Sequence, residues 1–418
     1  MSTSVETREL VKTYGTDIQA VRGVDLRIEP GELMVLVGPS GCGKTTTLRM
    51  IAGLERVTSG EIYVDDVLVN RVHPSKRGVA LVFQNFALYP HKSARENMSF
   101  PLESEGVARD EVRRRVAEVG EMLELTEHID KRPGELSGGQ QQRVSLGRAI
   151  VRNPKVLLLD EPLSNLDARL RVVMRSELKR IQRAVGSTSV YVTHDQVEAM
   201  TMGDRIVVMH EGLIAQIGTP QQVYLTPANI PVAKTIGSPA MNLLPGEVRT
   251  DADGAHLVAD GWQLTIDGDG GRSLAGALEA GSPEGIVLGV RPEDLDFRDP
   301  SITPDGAETD GRLGGAQCLT AEPLGSETLY NVDTAGQRVQ LLRRDTHIML
   351  DPDERTELFI ADGGRVHVFD AATGARIAGV QRHVDDGRTL WEPFTTADRS
   401  RRQIRVASGA AGPTGSEA

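Results

Sequence analysis

Nine residues, GPSGCGKTT from Gly38 to Thr46, restrict the local fold more than any other part of this 418-residue chain. They follow the apolar run ELMVLVG (32–38) and precede TTTLRMIAGL (45–54), so a buried strand has to end in a glycine-rich turn that opens directly into a helix. A run that short and apolar on both faces belongs inside a parallel sheet covered on both sides. Gly38, Gly41 and Gly43 let backbone N–H groups turn toward a concentrated negative charge, and the helix start adds the positive end of its dipole. Pro39, Ser40, Cys42 and Thr46 complete the loop, with Cys42 reading as a small filler. Lys44 can reach β- and γ-phosphate oxygens, and Thr45 can ligate Mg²⁺, so the pattern fits ATP with its metal.

Phosphoryl chemistry needs a second piece, an acidic residue at the end of a neighbouring strand. KVLLLD (155–160) is a second fully buried strand, and it supplies Asp160 for the metal with Glu161 beside it as general base for the attacking water. A third strand, TSVYVTH (188–194), ends at His194, which can hydrogen-bond a γ-phosphate or order the water. Gln84 in LVFQNFALYP can sense the same metal and nucleotide. Tyr14 either stacks on adenine or is a packing residue.

From the start to about residue 235, short apolar runs alternate with helical patterns, as in a mostly parallel sheet with crossover helices. Leu170, Val173, Met174, Leu178, Ile181 and Val185 recur at helical spacing, and DRIVVMHEGLIAQIG (204–218) reads as a hairpin around Glu211 and Gly212. Beyond Ser238, turns rich in glycine, aspartate and proline separate brief strands such as GIVLGV (285–290) and RVHVFD (365–370), which predicts a small all-β domain over 236–375. Residues 376–418, with scattered arginines and the ending ASGAAGPTGSEA, are expected to form a mobile tail. The balance of 47 Lys+Arg against 59 Asp+Glu, net −12, disfavours a nucleic-acid or anionic-lipid surface. Cys42 and Cys318 lack metal-ligand spacing, and no run approaches the roughly 18 apolar residues that span a bilayer.

ELSGGQQQR (135–143) has the grammar of an anion site, a serine and two glycines before a helix, yet it contains no lysine to hold a phosphate. In this order and spacing, GPSGCGKTT, Gln84, LSGGQ (136–140), VLLLDEP, SNLD (164–167) and His194 closely resemble the nucleotide-binding subunits of ABC transporters. GLERVTSGEI, DEPLSNLDARLRVVMR and YVTHDQVEAMTMGDRI narrow the resemblance to the maltose, trehalose and glycerol-phosphate importer ATPases, a carbohydrate-importing group.

The resemblance implies an α/β P-loop NTPase of ABC type over 1–235, with a helical subdomain at about 86–153, followed by an OB-like regulatory β domain carrying GVRPEDL (289–295). It also implies that two such subunits, identical or close paralogues, meet head to tail. Each ATP would then lie between one P-loop and the other chain's Ser137, Gly138, Gly139 and Gln140, with Asp167 communicating across the interface. Two transmembrane permease subunits and, indirectly, an extracytoplasmic solute-binding protein would complete the importer, with this chain peripheral on the cytoplasmic face. Importers of polyamines, iron, molybdate or other anions share these motifs, and a non-transport ABC ATPase is a more distant alternative. One departure is HKSARENM, where Lys92, Ser93 and Arg95 stand beside the surface that the family uses to receive the permease.

Overall fold

The computed structural model describes residues 3–252, 254–281, 283–298, 311–344, 350–385 and 388–394. The chain divides into two units, Met1–Pro220 and Gln221–Ala418. In the first, β1 (Val5–Tyr14) and β2 (Ile18–Ile28) form an antiparallel hairpin before β3 (Leu33–Val37), whose residues are all buried. The loop after β3 opens into α1 (Lys44–Ala52), and β4 (Ser59–Val64) with β5 (Val67–Leu68) completes an antiparallel sheet of order β2-β1-β4-β5. Next come β6 (Val79–Val82) and three helices, α2 (Ala94–Ser104), α3 (Arg109–Met122) and α4 (Gly138–Ile150). β7 (Val156–Asp160), α5 (Ala168–Val185), β8 (Thr188–Thr193), α6 (Gln196–Met202), β9 (Arg205–His210) and β10 (Leu213–Gly218) finish the unit.

The second sheet has the order β10-β9-β3-β8-β7-β6 and is parallel except at the β9–β10 hairpin. Glu211 and Gly212 turn that hairpin with φ of 47° and 79°, the left-handed backbone that a two-residue turn between twisted strands requires. Leu48, Met50 and Ile51 of α1 share one core with Leu26 and Ile62 of the antiparallel sheet and Leu36 and Leu158 of the parallel one. Buried Arg77 holds the far end of α1, donating to the carbonyls of Met50 (2.9 Å) and Ile51 (3.0 Å), where the helix dipole favours a cation.

α7 (Pro220–Leu225), whose first residue is the last of the first unit, and α8 (Ile230–Thr235) open the second. Arg291, 2% exposed, donates to the carbonyls of Tyr224 (2.6 Å) and Ile236 (2.7 Å). These bonds tie both helices to the β domain, and the division therefore falls at Pro220 rather than near residue 235. β11 (Asn242–Thr250), β12 (Gly254–Ala259) and β13 (Trp262–Asp267) precede α9 (Gly268–Gly281), and β14 (Ile286–Val290), β15 (Leu295–Arg298), β16 (Arg312–Pro323), β17 (Thr328–Thr334), β18 (Gln337–Arg343), β19 (Arg355–Ile360) and β20 (Arg365–Asp370) follow. Two antiparallel sheets, β13-β12-β11-β14-β20-β21-β22 and β15-β19-β16-β17-β18, enclose the core, with β21 at Arg376–Asp385 and β22 at Arg388–Pro393.

Two features differ from the sequence expectation. α9 is a helix in a domain expected to be all β, because Leu274, Ala275 and Leu278 bury one face of a glycine-rich segment. Its Gly271 sits where a Cβ would lie 2.1 Å from the carbonyl oxygen of Ile266, so only glycine allows this approach. Residues 376–393 are largely sheet and not tail, since Val380 and Trp391 are buried in the core; the expectation for 395–418 lies outside the described residues.

Asp294 is 6% exposed, and its Oδ2 lacks a hydrogen-bond partner among the described residues. Burial raises its pKa from 3.8 to about 7, against the pull of Arg365. Between those values the folded chain keeps a proton that the unfolded chain has lost, so stability falls as pH rises through this window and levels off above it. Asp294→Asn should therefore raise the melting temperature of the full chain by about 4 °C or more at pH 8, and by less at pH 5. An equal gap at both pH values would contradict the burial-driven shift.

Candidate functional site

Strand register assembles the site. Val37 of β3 lies opposite Thr193 of β8, Val192 opposite Asp160 of β7, and Leu159 opposite Val82 of β6. These four strands are parallel and end together, so the residues just past them, Gly38, His194, Glu161 and Gln84, emerge along one edge. Ligands of open α/β sheets bind at this carboxyl edge.

The loop from Gly38 to Thr46 is shaped by what surrounds it. Gly43 has φ of 101°, and a Cβ there would meet the Ala20 carbonyl oxygen at 2.5 Å; at Gly38 one would meet that of Met209 at 2.2 Å. Lys44 is 5% exposed, and its Nζ donates to the carbonyls of Gly38 (2.8 Å) and Pro39 (2.9 Å) and approaches Cys42 Sγ at 3.6 Å. The ammonium thus sits inside the turn, beside the N–H groups at the start of α1. Thr45 Oγ1 donates to Asp160 Oδ1 at 2.9 Å, and Arg49 Nη2 lies 3.6 Å from Asp160 Oδ2. Burial raises the pKa of Asp160, opposed by the Thr45 hydrogen bond and the Arg49 charge.

Glu161 follows with φ of 45°, a left-handed backbone that costs a non-glycine residue about 1 kcal/mol or more. Its N–H donates to the Val192 carbonyl at 3.0 Å, and its own carbonyl accepts from Ser164 Oγ at 2.9 Å, which holds the kink in place. The turn aims the side chain differently from that of Asp160: His194 Nδ1 lies 3.1 Å and Gln84 Nε2 3.5 Å from the same oxygen, Oε2. Asn165 Nδ2 donates to the Gln84 carbonyl at 2.8 Å. The segment after Gln84 is held from α4, where Ser145 Oγ and Arg148 Nη2 both donate to the Phe86 carbonyl, at 2.9 and 3.0 Å.

Ser137 caps α4: its Oγ accepts from Gln140 N–H at 3.3 Å, while Gln140 Oε1 accepts from Ser137 N–H at 2.9 Å. Ser137 is exposed; a Cβ at Gly138 would come within 3.2 Å of Leu166, in the turn before α5, and one at Gly139 within 3.1 Å of Leu170 of α5. Among the described residues no hydrogen bond or ion pair joins Ser137, Gly138 or Gly139 to the P-loop, Asp160 or Glu161. Asp167 caps α5, accepting from Leu170 N–H at 2.9 Å. Tyr14 is 39% exposed at the end of β1 with Lys12 Nζ 4.7 Å from its ring centroid, and that lysine pairs with Glu55 at 2.6 Å.

The residues expected at the strand ends thus lie together, and behind them stand Arg49 and Lys12, which the sequence expectation did not include. Only Arg49 carried a usable signal, one helical turn beyond Thr45 on the same face. The charges of HKSARENM are engaged within the chain, since Ser93 caps α2, Arg95 forms a forked pair with Asp130 at 2.8 and 3.3 Å, and Lys92 lies 5.4 Å from the Phe100 ring centroid.

Two family profiles match the chain, ABC transporter over residues 21–164 and MalK OB fold domain over 237–295. An sn-glycerol-3-phosphate import ATP-binding protein from Cupriavidus pinatubonensis is 45% identical over 373 residues, covering 88% of this chain and 98% of the relative. Its counterpart from Rhizobium meliloti is 46% identical over 369 residues, covering 88% and 98%. A xylose/arabinose import ATP-binding protein from Haloferax volcanii is 46% identical over 384 residues, covering 88% of this chain and 93% of the relative. A P-loop joined to Asp160, followed by a kinked Glu161 and a separately capped LSGGQ helix, together with relatives at such identity over nearly their whole length, makes this chain an ATP-binding ATPase of the ABC transporter family.

Proposed function

We propose that the chain is the ATP-hydrolysing subunit of an ABC importer for carbohydrates or glycerol phosphate, and that each of its ATP sites is completed by a second subunit. The convergence of His194 and Gln84 on Glu161, next to the Thr45–Asp160 pair, carries the catalytic reading. Relatives named for sn-glycerol-3-phosphate and for xylose/arabinose support a small polyhydroxylated solute. Two permease subunits would anchor the chain to the cytoplasmic face of the membrane, with an extracytoplasmic binding protein delivering the solute. Among the described residues no helix is long and apolar enough to cross the membrane, which fits a peripheral subunit.

The residues suit Mg²⁺. A hydroxyl and a carboxylate oxygen already stand 2.9 Å apart, both hard donors, and the carboxylate is buried where a cation would favour its charged form. Thr45 and Asp160 would hold the metal, with Gln84 reaching it from the next strand end. Bound there, Mg²⁺ would neutralise charge on the β- and γ-phosphate oxygens.

The chain's own groups supply the rest. Tyr14 stacks on adenine, and N–H groups from Gly38 to Thr46 cradle the phosphates while Lys44 exchanges its loop carbonyls for β/γ oxygens. A second copy contributes Ser137 Oγ and the N–H groups of Gly138 and Gly139 at a helix start, so no second lysine is needed. Glu161 takes a proton from water as the water oxygen bonds to the γ-phosphorus and the bond from that phosphorus to the ADP oxygen breaks. His194 steadies Glu161 and the γ-phosphate. ATP thereby holds two subunits together until hydrolysis releases them, and the Gln84 segment passes the movement to the permease.

Glu161→Gln should bind ATP with near wild-type affinity, release phosphate about a hundredfold more slowly or worse, and elute as a dimer in ATP. Wild-type phosphate release would overturn the general-base role. Ser137→Arg should abolish hydrolysis while nucleotide titration of the purified chain stays unchanged, because the serine acts on the other subunit's ATP. Normal ATPase activity in that variant would refute the shared site. Uptake of labelled glycerol phosphate and pentoses by a strain lacking the gene tests the solute class.

A further inference from the structure

We propose that Glu198 is a positioning residue for His194, acting through Thr193 of β8. The inference rests on the reading of His194 as a group at the reacting phosphate. Glu198 lies in the first turn of α6 and is 3% exposed. Its Oε2 accepts two hydroxyls from the end of β8, Tyr191 Oη at 2.8 Å and Thr193 Oγ1 at 2.7 Å. Thr193 Oγ1 in turn accepts the N–H of Asp195 at 2.9 Å. One hydroxyl therefore clamps the residues on both sides of His194 and is itself fixed by a buried carboxylate.

Helix capping does not explain the carboxylate. Asp195 already caps α6, its Oδ1 accepting from the N–H groups of Val197 (2.7 Å) and Glu198 (3.3 Å). A leucine at 198 would fill the same buried position without the desolvation that an ionisable group suffers there. What Glu198 adds is an acceptor that selects one rotamer of Thr193, and with it the path of the backbone through His194. This matters because His194 is itself exposed, with Glu161 at 3.1 Å on its Nδ1, so its placement depends on the backbone that carries it.

The same clamp reaches the SNLD turn. Arg171 on α5 donates from Nη2 to the Leu166 carbonyl at 3.1 Å and places Nη1 3.7 Å from Asp195 Oδ2. A single guanidinium thus spans the turn capped by Asp167 and the residue after His194. Movement of that turn against a second subunit has a direct route to the histidine.

The test is steady-state phosphate release by the full-length chain at varied ATP and saturating Mg²⁺, with thermal melts of each variant as a folding control. Glu198→Ala and Thr193→Val should each lower kcat about tenfold or more with KM for ATP within about twofold, since a displaced catalytic group costs turnover and not binding. Glu198→Gln, whose amide oxygen can accept both hydroxyls, should restore most of the rate. Adding Glu198→Ala to His194→Ala should slow that variant no further. Wild-type kcat in Glu198→Ala, a rise in KM without loss of kcat, or a further tenfold loss in the double variant would each overturn the proposal. If Glu198→Ala melts below the assay temperature, Thr193→Val carries the test alone. His194→Ala separates the two levels: wild-type turnover there sinks the reading of His194 itself, whereas a slow His194→Ala beside a fast Glu198→Ala sinks only the positioning role.

Discussion

The parallel pairing of β3, β8, β7 and β6 brings four segments distant in the chain to one edge, because Val37, Thr193, Val192, Asp160, Leu159 and Val82 are matched across it. Those strands are buried on both faces, so their register is set by a packed interior. A slip of one residue would turn each side chain to the opposite face and separate Thr45 from Asp160. The Thr45–Asp160 hydrogen bond is the local seal on that register, joining the start of α1 to the end of β7 at 2.9 Å. The geometry of the candidate site is a consequence of sheet packing, with loops supplying only the last one or two residues.

From that edge, adjacent residues take different tasks. Asp160 completes β7, buried and bonded to Thr45, while Glu161 breaks from the strand with a positive φ and faces His194 and Gln84. The left-handed turn at Glu161 lets the two neighbouring carboxylates face separate places, which is what the proposed division into a metal ligand and a general base requires. The LSGGQ helix is built on another principle: its capping box uses Ser137 and Gln140 on each other and leaves an exposed helix start with close-packed glycines. A helix start finished in this way is stable without a ligand and open to an anion brought by another subunit.

Much of this was legible in the sequence because it rests on local pattern. β3 and β7 are apolar runs that end at glycine or aspartate, α5 carries its period in Met174, Leu178 and Ile181, and the β9–β10 turn has glycine where positive φ is needed. Less legible were features fixed by contacts between elements. Nothing in DEP announces a left-handed Glu161. The Glu198–Thr193 clamp and the Arg171 bridge require knowing that α6 folds back on β8 and that α5 lies against the SNLD turn. α9 defied its glycine content because Gly270 and Gly271 are needed for close approach, and β21 and the edge strand β22 were hidden by their charged residues. The unit boundary shifted from residue 235 to Pro220 for a similar reason, a buried arginine whose partners lie 55 and 67 residues away.

The central claim is that one subunit's P-loop and another's LSGGQ helix share each ATP. The most direct measurement is a structure of the full-length Glu161→Gln protein with ATP and Mg²⁺. The account predicts a two-fold dimer in which Ser137 Oγ and the Gly139 N–H of one copy lie about 3 Å from the γ-phosphate held by Lys44 of the other. A γ-phosphate contacted by Ser137 of its own chain, or by no LSGGQ residue at all in a closed ATP-bound dimer, would contradict it.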